Sequence, residues 1–234
     1  MQRHRVILVG TGITLACLLL ATLAPRIREP RYQGLPVSAW ISNYKAAPPW
    51  LHTNSAAQKA ASDAMQRLGG SAVPYLVGWM RYKSPQQRMQ LLAKAHCPKK
   101  VLDWLQDRDR RYTERAEAAC IALTAMGEPA LNAIPGLTDM LRDKNNYEAA
   151  RRALRVLLQL GKPGLEPTLV GLENENPKVR AQTLYAILWA DTHAQTTAPC
   201  LLHTLNDPDA TVRRLAALAL GQIAPEALTN AAPK

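Results

Sequence analysis

The fold of this chain is decided by the segment Asp207-Pro208-Asp209-Ala210-Thr211-Val212-Arg213-Arg214-Leu215-Ala216-Ala217-Leu218-Ala219-Leu220-Gly221-Gln222-Ile223. Its apolar residues recur at intervals of three and four, which places them on one face of an α-helix. A second copy occupies residues 176–188, because Val179 and Arg180 stand 33 positions before Val212 and Arg213. A fixed period in this range predicts stacked repeats rather than one globular core.

Three further copies of the pattern precede these two, at Ala57–Gly69, Arg115–Gly127 and Ala149–Gly161. In these three copies the apolar helix ends at a glycine, which suits the left-handed residue that terminates a helix. A shorter apolar helix then starts near a proline, which is tolerated in a first helical turn. The first two copies lie 58 residues apart, far more than the others, so residues 83–113 are read as an insertion. The sequence therefore predicts an all-α fold, an α-solenoid of about five helical pairs over residues 55–225.

The repeated pattern Asp-x-x-x-x-Val-Arg-x-x-Ala-Ala-x-Ala-Leu-Gly, followed by a helix that starts at a proline, resembles HEAT repeats in their short bacterial form. The resemblance covers residues 55–225. The stretch from Tyr32 to Ile41 also resembles the segment that precedes such repeats in membrane-anchored bacterial HEAT proteins. The resemblance to HEAT repeats implies a non-enzymatic docking surface for a protein partner, although a fold alone does not fix a function.

The amino terminus predicts a membrane anchor. Residues 6–24 carry no charge, and as a helix they span about 28 Å, close to the thickness of a hydrocarbon core. Residues 1–5 form a short basic start. A cleaved signal peptide and a lipoprotein modified at Cys17 are the alternatives, but the apolar run is long and Pro25 follows the only candidate cleavage site. The sequence favours a single-pass membrane protein whose soluble domain is exported rather than cytoplasmic, although the flanking arginines are nearly balanced.

The regions around the repeats are assigned as follows. Residues 25–54 form a linker and capping segment, in which Ser38–Tyr44 is predicted to be a short helix with Trp40 and Ile41 facing inward. Ser55 is predicted to cap the first repeat helix. The insertion is predicted to hold two helices, Gln86–Ala95 and Lys99–Gln106, and residues 226–234 form a tail.

The insertion region also holds most of the positive charge. The chain has a formal net charge of +11, and residues 81–115 contain ten basic and four acidic residues. The candidate basic patch consists of Arg81, Lys83, Arg88, Lys94, Lys99, Lys100, Arg108, Arg110, Arg111 and Arg115. Such a patch suits an anionic partner: an acidic protein, an anionic lipid or, less favoured, a nucleic acid. The interpretation that the sequence favours, however, is the solvated polar face of two surface helices. A second basic group, Arg151, Arg152 and Arg155, is interpreted as the exposed face of a repeat helix.

Two arginines of the repeats have a structural interpretation. In HEAT-like repeats, an acidic or amide residue six positions before this arginine pairs with it across adjacent units. The resemblance therefore implies a structural ladder in which Asn174 pairs with Arg180 and Asp207 pairs with Arg213.

The sequence carries no convincing catalytic motif, and neither a metal, a cofactor nor a small-molecule substrate is implied. His193, Cys200 and His203 lack the tight four-ligand spacing of a structural zinc site. Cys120 and Cys200 are interpreted as small core residues. Two HEAT-like families, the bilin lyases and the alkyl-base DNA glycosylases, are enzymatic, but no constellation of residues here points to either.

Overall fold

The computed structural model describes residues 29–42, 56–95, 97–189 and 197–226. The predicted anchor, the tail beyond residue 226 and the capping residue Ser55 lie outside these ranges. Within them, no helix is both long and apolar enough to cross a membrane.

The chain enters the fold through a small hairpin that the sequence did not predict. Its antiparallel strands are β1 (Arg31–Tyr32) and β2 (Leu35–Pro36). Gln33 and Gly34 make the turn with φ angles of 49° and 77°. The predicted short helix follows as α1 (Val37–Ser42), and Trp40 and Ile41 are buried as expected.

In the described residues, ten α-helices form the stack and its insertion. They are α2 (Ala56–Leu68), α3 (Val73–Met80), α4 (Gln86–Lys94), α5 (Lys99–Ala125), α6 (Ile134–Arg142), α7 (Tyr147–Gln159), α8 (Lys162–Leu169), α9 (Pro177–Trp189), α10 (Ala198–Thr204) and α11 (Ala210–Ile223). The first helices of successive repeats pack side by side, α5 on α7, α7 on α9 and α9 on α11, and the second helices α6 and α8 pack on each other. The described residues thus form the all-helical, solenoid-like fold that the period predicted.

The helix boundaries follow the glycine and proline positions of the sequence. Gly69, Gly127 and Gly161 adopt φ angles of 52°, 69° and 67° directly after the first helices. Prolines occupy the first turns of α3, α6, α8 and α10, where a missing N–H leaves no hydrogen bond unmade. The link from α5 to α6 is a 3-10 helix, Glu128–Ala133.

The insertion differs from its prediction. The predicted helix Lys99–Gln106 does not end before the second repeat but runs on as α5, a single helix of 27 residues whose last part is the first helix of that repeat. No glycine or proline interrupts residues 99–125, so nothing forces the helix to stop. The side chains of α5 are buried only from Ala116 onward, and α4 has none buried. The insertion is therefore a helical hairpin that extends one repeat helix beyond the stack.

The core consists mainly of leucine, alanine, valine, isoleucine and methionine side chains in two clusters. The larger cluster runs from Val37 to Ala186, and the smaller one joins Leu184 and Ile187 to residues of α10 and α11. Cys120 is buried as predicted. The prediction for Cys200 was wrong: it is exposed, because α10 turns Leu201 rather than Cys200 towards the core.

Candidate functional site

Half of the predicted basic patch gathers around one groove at the beginning of the stack. A cavity of about 480 Å³ is lined by Ser38, Ile41, Ser42, Arg108, Arg111, Tyr112 and Arg115. A second cavity of about 390 Å³ is lined by Gly78, Trp79, Arg81, Tyr82, Lys83, Tyr112 and Arg115. Because the two cavities share Tyr112 and Arg115, we treat them as one surface and call it the cationic groove.

Among the residues that the structure describes, all charged residues that line the cationic groove are basic. They are Arg81, Lys83, Arg108, Arg111 and Arg115. The other five residues of the predicted patch, Arg88, Lys94, Lys99, Lys100 and Arg110, line neither cavity and lie on α4 and α5. The structure therefore divides the patch into a groove, made by packing α1 and α3 against α5, and an outer set on the helical hairpin.

Aromatic side chains hold two of these cations in place. The guanidinium of Arg115 lies 4.9 Å from the ring centroid of Trp79, and that of Arg108 lies 4.8 Å from the ring of Trp104. Such contacts orient a cation without neutralising it. Tyr112 stacks on Tyr82 with ring centroids 5.2 Å apart. The groove wall is thus built from alternating rings and positive charges.

Asp109, an acidic residue beside the groove, is engaged by two hydroxyl groups. Both oxygens of Asp109 accept hydrogen bonds of 2.8 Å, one from the Tyr82 hydroxyl and one from the Ser84 hydroxyl. Burial and the hydrogen bond to Asp109 raise the pKa of Tyr82 to about 12, so this phenol stays neutral and keeps its bond. Asp109 therefore fixes the loop after α3 rather than reaching into the groove.

Asp107 is paired with two arginines of α5, one of which lines the groove. It forms ion pairs with Arg110 and, at 3.4 Å, with Arg111. The hydrogen bond from Arg110 holds the pKa of Asp107 below its usual value. No ion pair within 4 Å engages Lys83, Arg108 or Arg115 among the residues that the structure describes, so their charges remain available to a ligand.

The second basic group departs at Arg152 from the exposed surface that the sequence suggested. Arg151, Arg152 and Arg155 all converge on Glu117, and the side chain of Arg152 is only 2% exposed. Arg152 also donates to the carbonyl oxygens of Met80 and Tyr82, at 3.2 and 2.8 Å. The interpretation was wrong for Arg152, because α7 packs against α5, whereas the side chains of Arg151 and Arg155 remain 36% and 44% exposed.

This cluster supports the groove from behind. Burial acts to raise the pKa of Glu117, but hydrogen bonds from Arg155 and Arg152 outweigh it and lower the pKa. Glu117 therefore stays ionised between its three partners. Since Arg152 binds the loop that carries Arg81, Tyr82 and Lys83, the cluster fixes one wall of the groove to the next repeat. Sequence reasoning missed Glu117, because a lone glutamate in an alanine-rich helix gives no signal of its partners.

The four residues of the predicted ladder lie at the junctions between repeats. Each arginine bonds the residue six positions before it, as predicted, but through the backbone carbonyl of that residue rather than its side chain. Arg180 makes a bidentate ion pair with Asp207 of the following repeat, at 2.7 and 2.8 Å, and also donates to the carbonyl oxygens of Asn174 and Glu175. Asn174 donates instead to the carbonyl of Leu141 in the preceding repeat.

Arg213 does not bind the carboxylate six positions before it. It donates to the carbonyl oxygens of Asp207 and Pro208, at 2.7 and 3.0 Å. Each arginine thus closes its own loop through the backbone, and Arg180 in addition forms a side-chain pair with the next repeat. Burial acts to raise the pKa of Asp207, but hydrogen bonds, chiefly from Arg180, outweigh it and lower the pKa.

The chemistry that this surface offers is anion binding. Guanidinium groups present planar arrays of N–H donors that match carboxylate and phosphate oxygens. In the described ranges, no group of three or more His, Cys, Asp and Glu residues is placed to hold a metal ion.

Comparison with known proteins agrees with the repeat architecture. Residues 165–232 match the family described as HEAT repeats. No curated protein matches the chain. The carboxy-terminal repeats thus support the HEAT-repeat assignment, and HEAT repeats generally mediate binding between proteins.

Proposed function

We propose that this chain is a membrane-tethered, non-enzymatic scaffold that holds a protein partner on a HEAT-repeat solenoid, with the cationic groove as its docking site. The observation that carries this proposal is the groove itself: among the described residues its charged lining is basic, and three of the five cations, Lys83, Arg108 and Arg115, form no ion pair within 4 Å. The partner that fits is a protein segment rich in Asp and Glu, because arginine forks bind carboxylates in pairs.

The rigidity of the groove also makes it suitable for binding a partner. Two cation–aromatic contacts, one aromatic stack and the bonds from Arg152 hold its walls in place before a partner arrives. A preformed site loses less conformational entropy on binding than a flexible one. Solenoids commonly use such extended surfaces to bind partners.

The docking proposal is tested by charge reversal in the full chain, purified in detergent and used to capture partners from solubilised membranes. Lys83→Glu combined with Arg111→Glu reverses one cation in each cavity. Lys178→Glu combined with Arg214→Glu is the matched control, since both residues are exposed and lie outside the groove. We expect a protein that is retained by the wild type and the control but lost from the groove variant, and that carries an acidic segment. Equal retention by all three proteins would contradict docking in the groove.

The tether is supported by the 19 uncharged residues at positions 6–24. It predicts that the full chain stays with the membrane fraction after alkaline carbonate extraction and that its removal leaves a soluble domain. Reporter fusions at residue 29 and at the carboxy terminus would then decide between an exported and a cytoplasmic domain.

A second function is favoured by the exposed aromatics of the hairpin region. Trp104 and Tyr112 are 55% and 45% exposed among the cations of α5, an arrangement that can bind a nucleic acid or anionic lipid. This alternative predicts that binding weakens steeply as salt increases and is lost when Lys99, Lys100, Arg110 and Arg111 are changed to Glu. Salt-independent binding would exclude it.

A further inference from the structure

The helical hairpin formed by α4 and the first half of α5 carries an apolar surface that the stack does not cover. Leu91 is 65% exposed, Val101 44% and Trp104 55%. On α5, Val101 and Trp104 share one face with Arg108 by helical spacing, and on α4 Leu91 shares a face with Arg88. Large apolar side chains this exposed, and this close together in the sequence, indicate a surface that meets something other than water.

The charges around these residues are mostly positive. Arg88, Lys94, Lys99 and Lys100 are exposed, and Asp103 is the only acidic residue in the described part of residues 86–106. A helix surface that combines leucine and tryptophan with lysine and arginine is typical of segments that lie in the interface of an anionic bilayer. Tryptophan suits that position because its ring is apolar while its N–H remains in the hydrated headgroup layer.

The chain geometry places the hairpin within reach of a bilayer. Between the end of the predicted anchor at residue 24 and β1 at residue 31, the chain extends at most about 25 Å. Helix α1 follows that strand pair and packs on α5, where Ser38 and Ser42 line the same cavity as Arg108 and Arg111. Trp104 lies one helical turn beyond Arg108, about 6 Å along α5. The hairpin therefore starts beside the segment that the tether would hold at the membrane surface.

We propose that the α4–α5 hairpin binds the surface of an anionic bilayer, with Leu91, Val101 and Trp104 at the boundary of headgroups and acyl chains and the surrounding lysines and arginines on lipid phosphates. This inference rests on the proposed tether, since the tether sets the distance to the membrane. The contact orients the stack: it fixes one end of the solenoid on the bilayer and leaves the later repeats projecting away from it.

The experiment uses the full chain reconstituted in vesicles whose acyl chains carry bromine, which quenches tryptophan fluorescence on contact. The emission of Trp104 is obtained as the difference between the wild type and Trp104→Phe. The matched control is the difference obtained with Trp189→Phe, because Trp189 is 83% exposed on α9, far along the stack. Vesicles of phosphatidylcholine alone are compared with vesicles that also contain phosphatidylglycerol.

We expect the Trp104 emission to be quenched in phosphatidylglycerol vesicles, with the quenching reduced in phosphatidylcholine vesicles, at high salt, and in Lys99→Glu combined with Lys100→Glu. The Trp189 emission should be unaffected throughout. Unquenched Trp104 emission, or equal quenching of both tryptophans, would overturn the proposal. A dimer that depends on Trp104, observed together with unquenched Trp104 emission, would also overturn it. The apolar face would then be covered by a second copy of the chain.

Alkaline carbonate extraction of the same vesicles separates this inference from the tether. A chain that resists extraction but leaves Trp104 unquenched supports the tether and refutes the hairpin contact. A chain that is extracted although Trp104 is quenched before extraction refutes the tether and supports the hairpin contact. A chain that neither resists extraction nor shows quenching refutes both.

Discussion

Arg180 joins two repeats through one side chain. Its guanidinium binds the carboxylate of Asp207 in the next repeat and two carbonyl oxygens of its own loop, and the paired side chains are only 10% and 8% exposed. Removing one partner of a buried pair leaves the other charge without compensation, which costs about 3 kcal/mol or more. We therefore expect Arg180→Met to lower the free energy of unfolding by about 3 kcal/mol in urea titrations. Arg214→Met, at an exposed site on α11, should change it by less than about 0.5 kcal/mol, and an equal effect of both would contradict this role.

The same pair predicts a pH dependence. The pKa of Asp207 in the folded protein lies below its usual value of 3.8, so its stabilising effect is complete at neutral pH and is lost as the pH falls through the folded-state pKa. The destabilisation caused by Asp207→Asn should therefore be largest at neutral pH and shrink on acidification towards about pH 3. Asp103→Asn, at an exposed site on α5, serves as the control and should leave stability nearly unchanged at each pH. A pH-independent effect of Asp207→Asn would show that the charge of Asp207 is not what stabilises the junction.

Two glycines at the junction of α7 and α8 are constrained for different physical reasons. Gly161 has a φ of 67° and open space around it. An alanine there would therefore be destabilised only by its left-handed backbone conformation, which costs about 1–2 kcal/mol of folding free energy. At Gly164, an added Cβ would lie 1.9 Å from the carbonyl oxygen of Leu157, so α8 would have to move away from α7. Thermal unfolding should show that Gly164→Ala destabilises more than Gly161→Ala. Gly78→Ala is the control: its φ is ordinary and its surroundings are open, so it should be neutral or stabilising.

The repeat helices could be predicted from the sequence because each has its own apolar period and its own glycine or proline boundary. The length of α5 could not, since residues 107–114 are rich in alternating charges that read equally well as a loop or as an exposed helix. The partners of Glu117 and Arg180 lie in other repeats, and a repeat pattern does not show which of two equivalent neighbours a side chain will bind. Likewise the basic residues of the groove were identifiable, but their division into groove and hairpin depends on how α1 and α3 pack against α5.

At the scale of the whole molecule, the two hydrophobic clusters imply that the solenoid does not unfold as one unit. Leu220 is fully buried in the smaller cluster, which joins α9, α10 and α11, whereas Leu137 is fully buried in the larger one. In a stack each layer is stabilised mainly by its neighbours, so damage to the last layer should spread only as far as the next interfaces. The leucine-to-alanine change itself costs about 2–5 kcal/mol.

We therefore expect Leu220→Ala to increase hydrogen exchange of backbone amides in α9 to α11 while α2, α3 and α6 remain protected. Leu137→Ala should instead increase exchange in α2, α3 and α6 while α9 to α11 remain protected, because the same side chain is removed from the larger cluster. Mass spectrometry of exchanged peptides measures both variants, and uniform loss of protection along the chain in either would show a single cooperative unit instead.

Independent unfolding of the carboxy-terminal repeats would also matter for docking. The helices that form the cationic groove belong to the larger cluster. Leu220→Ala should therefore leave capture of an acidic partner intact, although it removes the Arg180–Asp207 junction from the structured part of the stack.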